Sequence, residues 1–196
     1  MNQKKIAGID YSLTSPAICI YSEEEDGGCF DFDRCMLYYL SNNEKQQQLA
    51  SGCGVSNLIA ERYPEWETEE ERHDALSSWV MSLIQGCSEV FIEGYAFATS
   101  AQAGVRSIAE NTGLLKHKMW KQKILFKTYP PTVIKKFATG KGNANKELMY
   151  DAFVGELLTP TDLKERLTPR AKKVINPISD IVDSYFITKA GVEGML

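Results

Sequence analysis

Lys5-Ile6-Ala7-Gly8-Ile9-Asp10-Tyr11-Ser12-Leu13-Thr14-Ser15 is the stretch on which the fold turns. A run of small and branched apolar residues ends on an acid and breaks into Ser and Thr, as a strand buried on both faces does on entering a turn. The run is short, so periodicity alone leaves a helix open. In sheets with parallel strands, ligands occupy the crevice beyond the carboxyl ends of the strands, which places Asp10 where chemistry happens. A plainer role is also open to Asp10, capping the Ser/Thr-rich turn through bonds to local backbone.

The same pattern returns in Glu89-Val90-Phe91-Ile92-Glu93, a second short apolar run ending on an acid. Around these two strands the chain reads as α/β. Ala17-Ile18-Cys19-Ile20-Tyr21 forms a second strand, an acidic Gly-containing connection follows at 23–28, and residues 29–40 alternate as a third, antiparallel strand. Residues 41–64 show no clear period and read as a surface insertion. Thr68 and Glu71 have the spacing of a capping box, and Leu76, Trp79, Val80, Leu83 and Ile84 continue as a helical face that ends by Gly86. The acids at 65–71 read as helix start and solvated surface.

A long helix is predicted over about 100–121, with Val105, Ile108, Ala109, Thr112, Leu115 and Met119 as its apolar face. A fifth strand at 124–129 stops at Pro130-Pro131. Helical patterning resumes, broken at 139–146, and a basic, Pro-interrupted loop is expected at 159–175. Ile178, Ile181, Val182, Tyr185, Phe186 and Ala190 define a closing amphipathic helix that carries Asp180 and Asp183. The expectation is one domain over residues 1–196, with a five-stranded mixed sheet flanked by helices.

Composition narrows the classes. A hydrophobic content of 43% and a charged content of 24% are ordinary for a globular chain, and no apolar run reaches membrane-spanning length. The N-terminus leads straight into the first strand, so the cytoplasm is the expected compartment. Five cysteines without a Cys-x-x-Cys pair support neither a zinc site nor a disulfide framework. His73 and His117 are expected on the surface. The formal charge of −4 conceals an asymmetry: residues 1–114 hold 7 Lys/Arg against 18 Asp/Glu, and residues 115–173 hold 14 against 5. The second half therefore offers an electrostatic footprint for a polyanion, or simply a solvated lysine-rich surface.

Asp180 and Asp183, three residues apart, share one side of their helix. With Asp10 and Glu93 they make four acids that one fold can gather. Clustered carboxylates raise one another's pKa unless a cation compensates them. Two Mg²⁺ ions suit such donors, Mn²⁺ serves as well, and a pair of hard cations supports phosphodiester hydrolysis.

The order strand-Asp, two antiparallel strands, helix, strand-Glu, long helix, strand, helix and Asp-x-x-Asp helix resembles the ribonuclease H-like nucleases, and among them the RuvC-type Holliday-junction resolvases, especially phage-encoded relatives. The resemblance rests on Gly8-Ile9-Asp10-x-Ser12-x-Thr14-Ser15, on Ile92-Glu93, and on Val133-Ile134-Lys135-Lys136 followed by 139–146. It implies that Asp10, Glu93, Asp180 and Asp183 are catalytic metal ligands. It also implies that Lys136 and Lys146 bind phosphate near the cut, with Lys135 and Lys141 on the same DNA-binding surface. A twofold homodimer acting on branched DNA is implied too, with the long helix contributing to its seam, in host-cell cytoplasm for a phage-encoded chain. Two departures are visible: Asp10-Tyr11-Ser12 stands in place of the family's Asp-Pro-Gly, and Ala96 occupies the spacing of a wedge aromatic, with Tyr95 and Phe97 on either side; one of them is open to serve as the wedge and at least one is expected to pack in the core.

Gly140-x-Gly142-x-x-x-Lys146 lacks the spacing of a nucleotide-binding P-loop, so no nucleotide cofactor is expected. It reads as a turn presenting backbone donors and lysines to phosphate, or as an exposed joint between helices. The leading function is a structure-selective endonuclease that resolves four-way or other branched DNA. Cleavage of RNA in RNA–DNA hybrids and catalytically silent binding of branched DNA are the alternatives, because fold does not set substrate.

Overall fold

Side chains alternate along the first strand, β1 (Lys5–Asp10), and sort onto two faces: Ile6 enters one apolar cluster, Ala7 and Ile9 the other. The computed structural model describes residues 3–24, 28–44, 46–47, 57–94, 102–157 and 162–194. β2 (Ala17–Ser22) and β3 (Cys35–Ser41) run antiparallel in succession beside β1. β4 (Leu58–Arg62) lies parallel to β3 at one edge. On the other side β5 (Glu89–Glu93) is parallel to β1, and β6 (Phe126–Tyr129) is parallel to β5. The sheet order is therefore β4-β3-β2-β1-β5-β6, a mixed sheet of six strands.

The α/β class and mixed sheet match the sequence reading, and two segments correct its details. Residues 41–64 are not wholly an insertion, because they supply β4 as a sixth strand. Only Leu58 is fully buried there, so this edge strand has no alternating apolar signature. Trp79 Nε1 donates to Glu61 Oε2 at 3.2 Å and ties that edge to a helix. Within the expected basic loop, Leu163–Leu167 forms a short helix that buries both leucines.

Helix α1 (Glu69–Leu83) begins with the anticipated capping box: Thr68 Oγ1 accepts from the Glu71 N–H at 3.2 Å, and Glu71 Oε2 accepts from the Thr68 N–H at 3.1 Å. It packs with α2 (Gln102–Lys121) on one face of the sheet, where Leu76, Val80, Leu115 and Met119 meet Ile9, Ile18 and Ile92. His73 is buried in this layer, with Nε2 3.2 Å from Ser107 Oγ, contrary to its expected surface position. Two helices packed together enclose polar residues that a solitary helix would expose. His117 is exposed as expected.

The other face carries α3 (Pro131–Thr139), α4 (Lys146–Glu156), α5 (Leu163–Leu167) and α6 (Ile178–Val192). Their side chains join Cys19, Tyr21, Leu37 and Phe91 in the second cluster. Between α3 and α4, Gly140 takes the left-handed conformation (φ 74°) that ends a helix, and Asn145 Oδ1 accepts from the Leu148 N–H to begin the next. The glycine-containing segment is thus a joint between helices.

Candidate active site

Strand register assembles the first two acids. Ile9 pairs with Ile92 in parallel β1 and β5, so Asp10 and Glu93 occupy the next adjacent positions at the carboxyl ends. Asp10 shares the parity of Ile6, and Glu93 that of Phe91, so both project toward the α3–α6 side.

Gly8 explains how α6 comes close enough to complete the group. A Cβ on Gly8 would stand 2.3 Å from Thr188 Oγ1, 2.4 Å from Thr188 N and 2.8 Å from Ser184 O. Only glycine permits this approach of helix backbone to strand. Asp180 lies one helical turn before Ser184, about 6 Å back along the axis. Asp10 lies two residues beyond Gly8, about 6.6 Å along β1, so the two acids converge.

The four acids sense one another strongly. Burial, then the charges of Asp180, Glu93 and Asp183, hold the Asp10 carboxyl well above its ordinary range, with Lys146 opposing. Burial and Asp183 push Glu93 up to about 8, against the pull of Lys135. Burial and Asp180 push Asp183 to about 7, with Lys135 and Lys146 opposing. Asp180 is raised by burial, but hydrogen bonds from Ser15, Ser179 and Ser12 act against it.

Hydrogen bonding divides the set. Asp180 Oδ2 accepts from Ser12 Oγ at 3.2 Å, Asn176 Nδ2 at 3.0 Å and Ser15 Oγ, and Oδ1 lies 3.0 Å from Ser179 Oγ, whose one hydrogen it shares with Asn176 Oδ1 2.7 Å away. Among the described residues, Asp10, Glu93 and Asp183 have neither a hydrogen bond nor an ion pair from their side chains. Asp10 is buried and Glu93 and Asp183 are half-buried, and like charges held this close are costly without a cation. Among the described residues no three or more His, Cys, Asp or Glu side chains are grouped so as to hold a metal ion, so the acids are neighbours by charge and not a coordination sphere. Their all-oxygen, anionic chemistry fits hard divalent ions that keep water ligands.

A cleft of about 500 Å³ opens over Asp10 and Glu93, walled by Ser12, Thr14, Ile108 and Pro131. A larger groove of about 770 Å³ lies away from these acids, among Glu65, Glu67, Glu70, Glu71 and Asp74, where a polyanion would be repelled. The turn forming the cleft's rim is fixed from the β4–α1 region: the Leu13 carbonyl accepts from Arg72 Nη2 at 2.6 Å and from the Tyr63 hydroxyl.

The lysines separate as well. Lys146 Nζ donates to Asn176 Oδ1 and Ser179 Oγ, both at 3.0 Å. Lys135 acts on Glu93 and Asp183, whereas Lys136 is exposed and not among the groups acting on the acids. Lys141 is exposed on the joint between helices. Tyr95 and Phe97 lie outside the described residues. Leu115 and Met119, part of the apolar face expected on the long helix, are fully buried within the chain, so a seam on α2 would have to use its outward side.

Sequence reading missed Ser12, Ser15, Asn176 and Ser179. The serines after β1 carried a signal, since polar residues beside a strand-end acid are placed to bond it. Asn176 offered none, because its contacts span 161 positions to Ser15 and 30 to Lys146.

No protein-family model matches the sequence, and no curated protein matches it. Solved structures do. Thermus thermophilus RuvC is 14% identical, with 97% of this chain and 95% of that one covered at a TM-score of 0.55. The same protein in complex with a Holliday-junction substrate gives 14% identity, 96% and 97% coverage, and 0.58. The Fowlpox virus resolvase bound to Holliday-junction DNA gives 16% identity, 98% and 99% coverage, and 0.50. Matched across nearly its whole length, the chain has the ribonuclease H-like fold of the RuvC and poxvirus Holliday-junction resolvases.

Proposed function

We propose that this chain is a metal-dependent, structure-selective endodeoxyribonuclease that resolves Holliday junctions or related branched DNA by phosphodiester hydrolysis. The observation that carries the reading is the trio of Asp10, Glu93 and Asp183, crowded at strand ends and on α6 without a protein partner. A purely structural site would not keep three repelling acids that no side chain pairs with or hydrogen-bonds, their charge only opposed by Lys135 and Lys146, and a silent DNA binder gains nothing from acids beside phosphates.

Asp10, Glu93 and Asp183 are the proposed holders of two Mg²⁺ or Mn²⁺ ions, with Asp180 beside them. Bound divalent ions supply an activated water and neutralise charge on the leaving oxygen. The protein's own contribution is geometric. Asp10 and Glu93 are fixed by sheet register, Asp183 by the packing of α6 on Gly8, and Asp180 by its hydrogen bonds. Lys135 and Lys146 moderate the acids' charge and face incoming phosphate. Lys136 and Lys141 extend that positive surface, and Tyr95 or Phe97 is the proposed wedge at the junction. A homodimer holds two such sites in a fixed relation, as paired cuts in a nearly twofold substrate require.

Cleavage of end-labelled four-way junction, duplex and RNA–DNA hybrid, each with Mg²⁺ and with chelator, tests the reading. Symmetric metal-dependent nicks confined to the junction are expected. Preferential cutting of the hybrid would make the chain a ribonuclease, and junction binding without cutting in Mg²⁺ or Mn²⁺ would leave a scaffold.

A further inference from the structure

Asn176, in the connection before α6, is a hub that none of the roles above uses. Its Nδ2 donates to Ser15 Oγ at 2.7 Å and to Asp180 Oδ2 at 3.0 Å. Its Oδ1 accepts from Ser179 Oγ at 2.7 Å and from Lys146 Nζ at 3.0 Å. Two amide hydrogens and two lone pairs are the whole capacity of an Asn side chain, and all are spent here. The orientation is fixed by charge, since a flipped amide would aim N–H at the Lys146 ammonium and oxygen at the Asp180 carboxylate.

Three separate elements meet at this residue: the turn after β1 through Ser15, the first turn of α4 through Lys146, and the first turn of α6 through Ser179 and Asp180. Lys146 is otherwise an exposed side chain with large rotamer freedom. Its ammonium has three N–H groups, of which Asn176 and Ser179 take two. The third is left beside the acids.

We infer that Asn176 is a positioning residue that locks Asp180 and Lys146 into one unit and aims the remaining Lys146 N–H at a DNA phosphate entering the cleft. The inference rests on the nuclease reading and adds to it the device that sets the spacing between one acid and the phosphate-binding cation. An aimed lysine loses less side-chain freedom on meeting phosphate than a free one, so its contact counts fully in binding.

The test is the salt dependence of four-way-junction binding by the full chain in chelator, so that cutting does not intervene. Losing one phosphate contact flattens the slope of log affinity against log salt by about 0.9 and weakens binding about five- to tenfold at moderate salt. Asn176→Ala and Lys146→Ala are each expected to do this, and the double variant to go no further. Asn176→Asp keeps the oxygen facing Lys146 and is expected to keep the wild-type slope, although it sets an acid against Asp180. Melting curves confirm that each variant is folded.

An Asn176→Ala slope equal to wild type, with Lys146→Ala flattened, would overturn this inference and leave the nuclease reading standing. A slope flattened equally in Asn176→Asp would also overturn it, because disturbance of the loop would then suffice. A wild-type chain that binds no junction would overturn both.

Discussion

Glu93→Gln should make the metal-free protein more stable, and the gain should depend on pH in a direction fixed by the site. The native carboxyl is pushed up to about 8 by burial and by Asp183, whereas in the unfolded chain it returns to its usual value of 4.5. A group raised in this way holds its proton longer in the native state. Wild-type stability is therefore intact below pH 4.5, declines as pH rises through the window to about 8, and is lowest above it. Gln, neutral and of similar shape, escapes that decline. The width of the window sets a ceiling on the order of 5 kcal/mol. Partial exposure of Glu93 and charge shared with Asp10 and Asp183 reduce the expected gain to about 1–3 kcal/mol at pH 8.5. For a chain of this length that is a rise in Tm of about 3–10 °C, and at pH 4.5 the gain should shrink below about 0.5 kcal/mol. Thermal melts of both proteins in chelator at the two pH values provide the measurement. Mg²⁺ should then raise the wild-type Tm at pH 8.5 more than that of the variant, because it relieves the same repulsion by binding the native state. A gain of equal size at both pH values would trace to packing, and no gain at pH 8.5 would refute the crowded-acid account.

Three further outcomes follow from the geometry. If the chain is the proposed nuclease, Asp10→Asn should abolish cutting of a four-way junction while preserving or tightening its binding, since a repelling charge beside phosphate is removed; substantial residual cutting in a labelled-junction assay would refute its proposed role as a metal ligand. Gly8→Ala should cost about 1–3 kcal/mol by overpacking, toward the upper end because its Cβ meets helix backbone, and should move Asp180 and Asp183 away from Asp10; a wild-type denaturation midpoint would show that α6 does not rest on that glycine. Thr68→Ala should cost about 1 kcal/mol through loss of the α1 cap without altering junction binding at saturating protein, and a measured change below about 0.3 kcal/mol by urea unfolding would place the cap's bond in exchange with water.

The parts of this fold that the sequence announces are those in which local chemistry repeats. β1 and β5 are apolar runs ended by acids, α6 combines a dense apolar period with Asp180 and Asp183, and Thr68 with Glu71 marks the start of α1; each lies where the pattern put it. β4 escaped notice because an edge strand with one fully buried residue has no period to detect, although Tyr63 just beyond it holds the rim of the cleft. His73 was misplaced because its polar surroundings are shared between two packed helices, and no single-helix pattern records a neighbour. The network around Asp180 is the extreme case, since every bond in it except those within the α6 start joins distant positions.

These two kinds of residue also divide the work of the site. Acids at strand ends follow from register and parity, so the sheet places Asp10 and Glu93 without help from side-chain bonds and leaves their oxygens open. An acid near a helix start has no such frame, and Asp180 accordingly spends both oxygens on Ser12, Ser15, Asn176 and Ser179. Its hydrogen bonds lower the cost of its charge, whereas the open acids have only the charges of Lys135 and Lys146 to offset theirs. On the proposed reading, the drive to capture a divalent cation is therefore concentrated on Asp10, Glu93 and Asp183. Neutralising any one of these should relieve more repulsion, and change metal response more, than removing a hydroxyl from the Asp180 network.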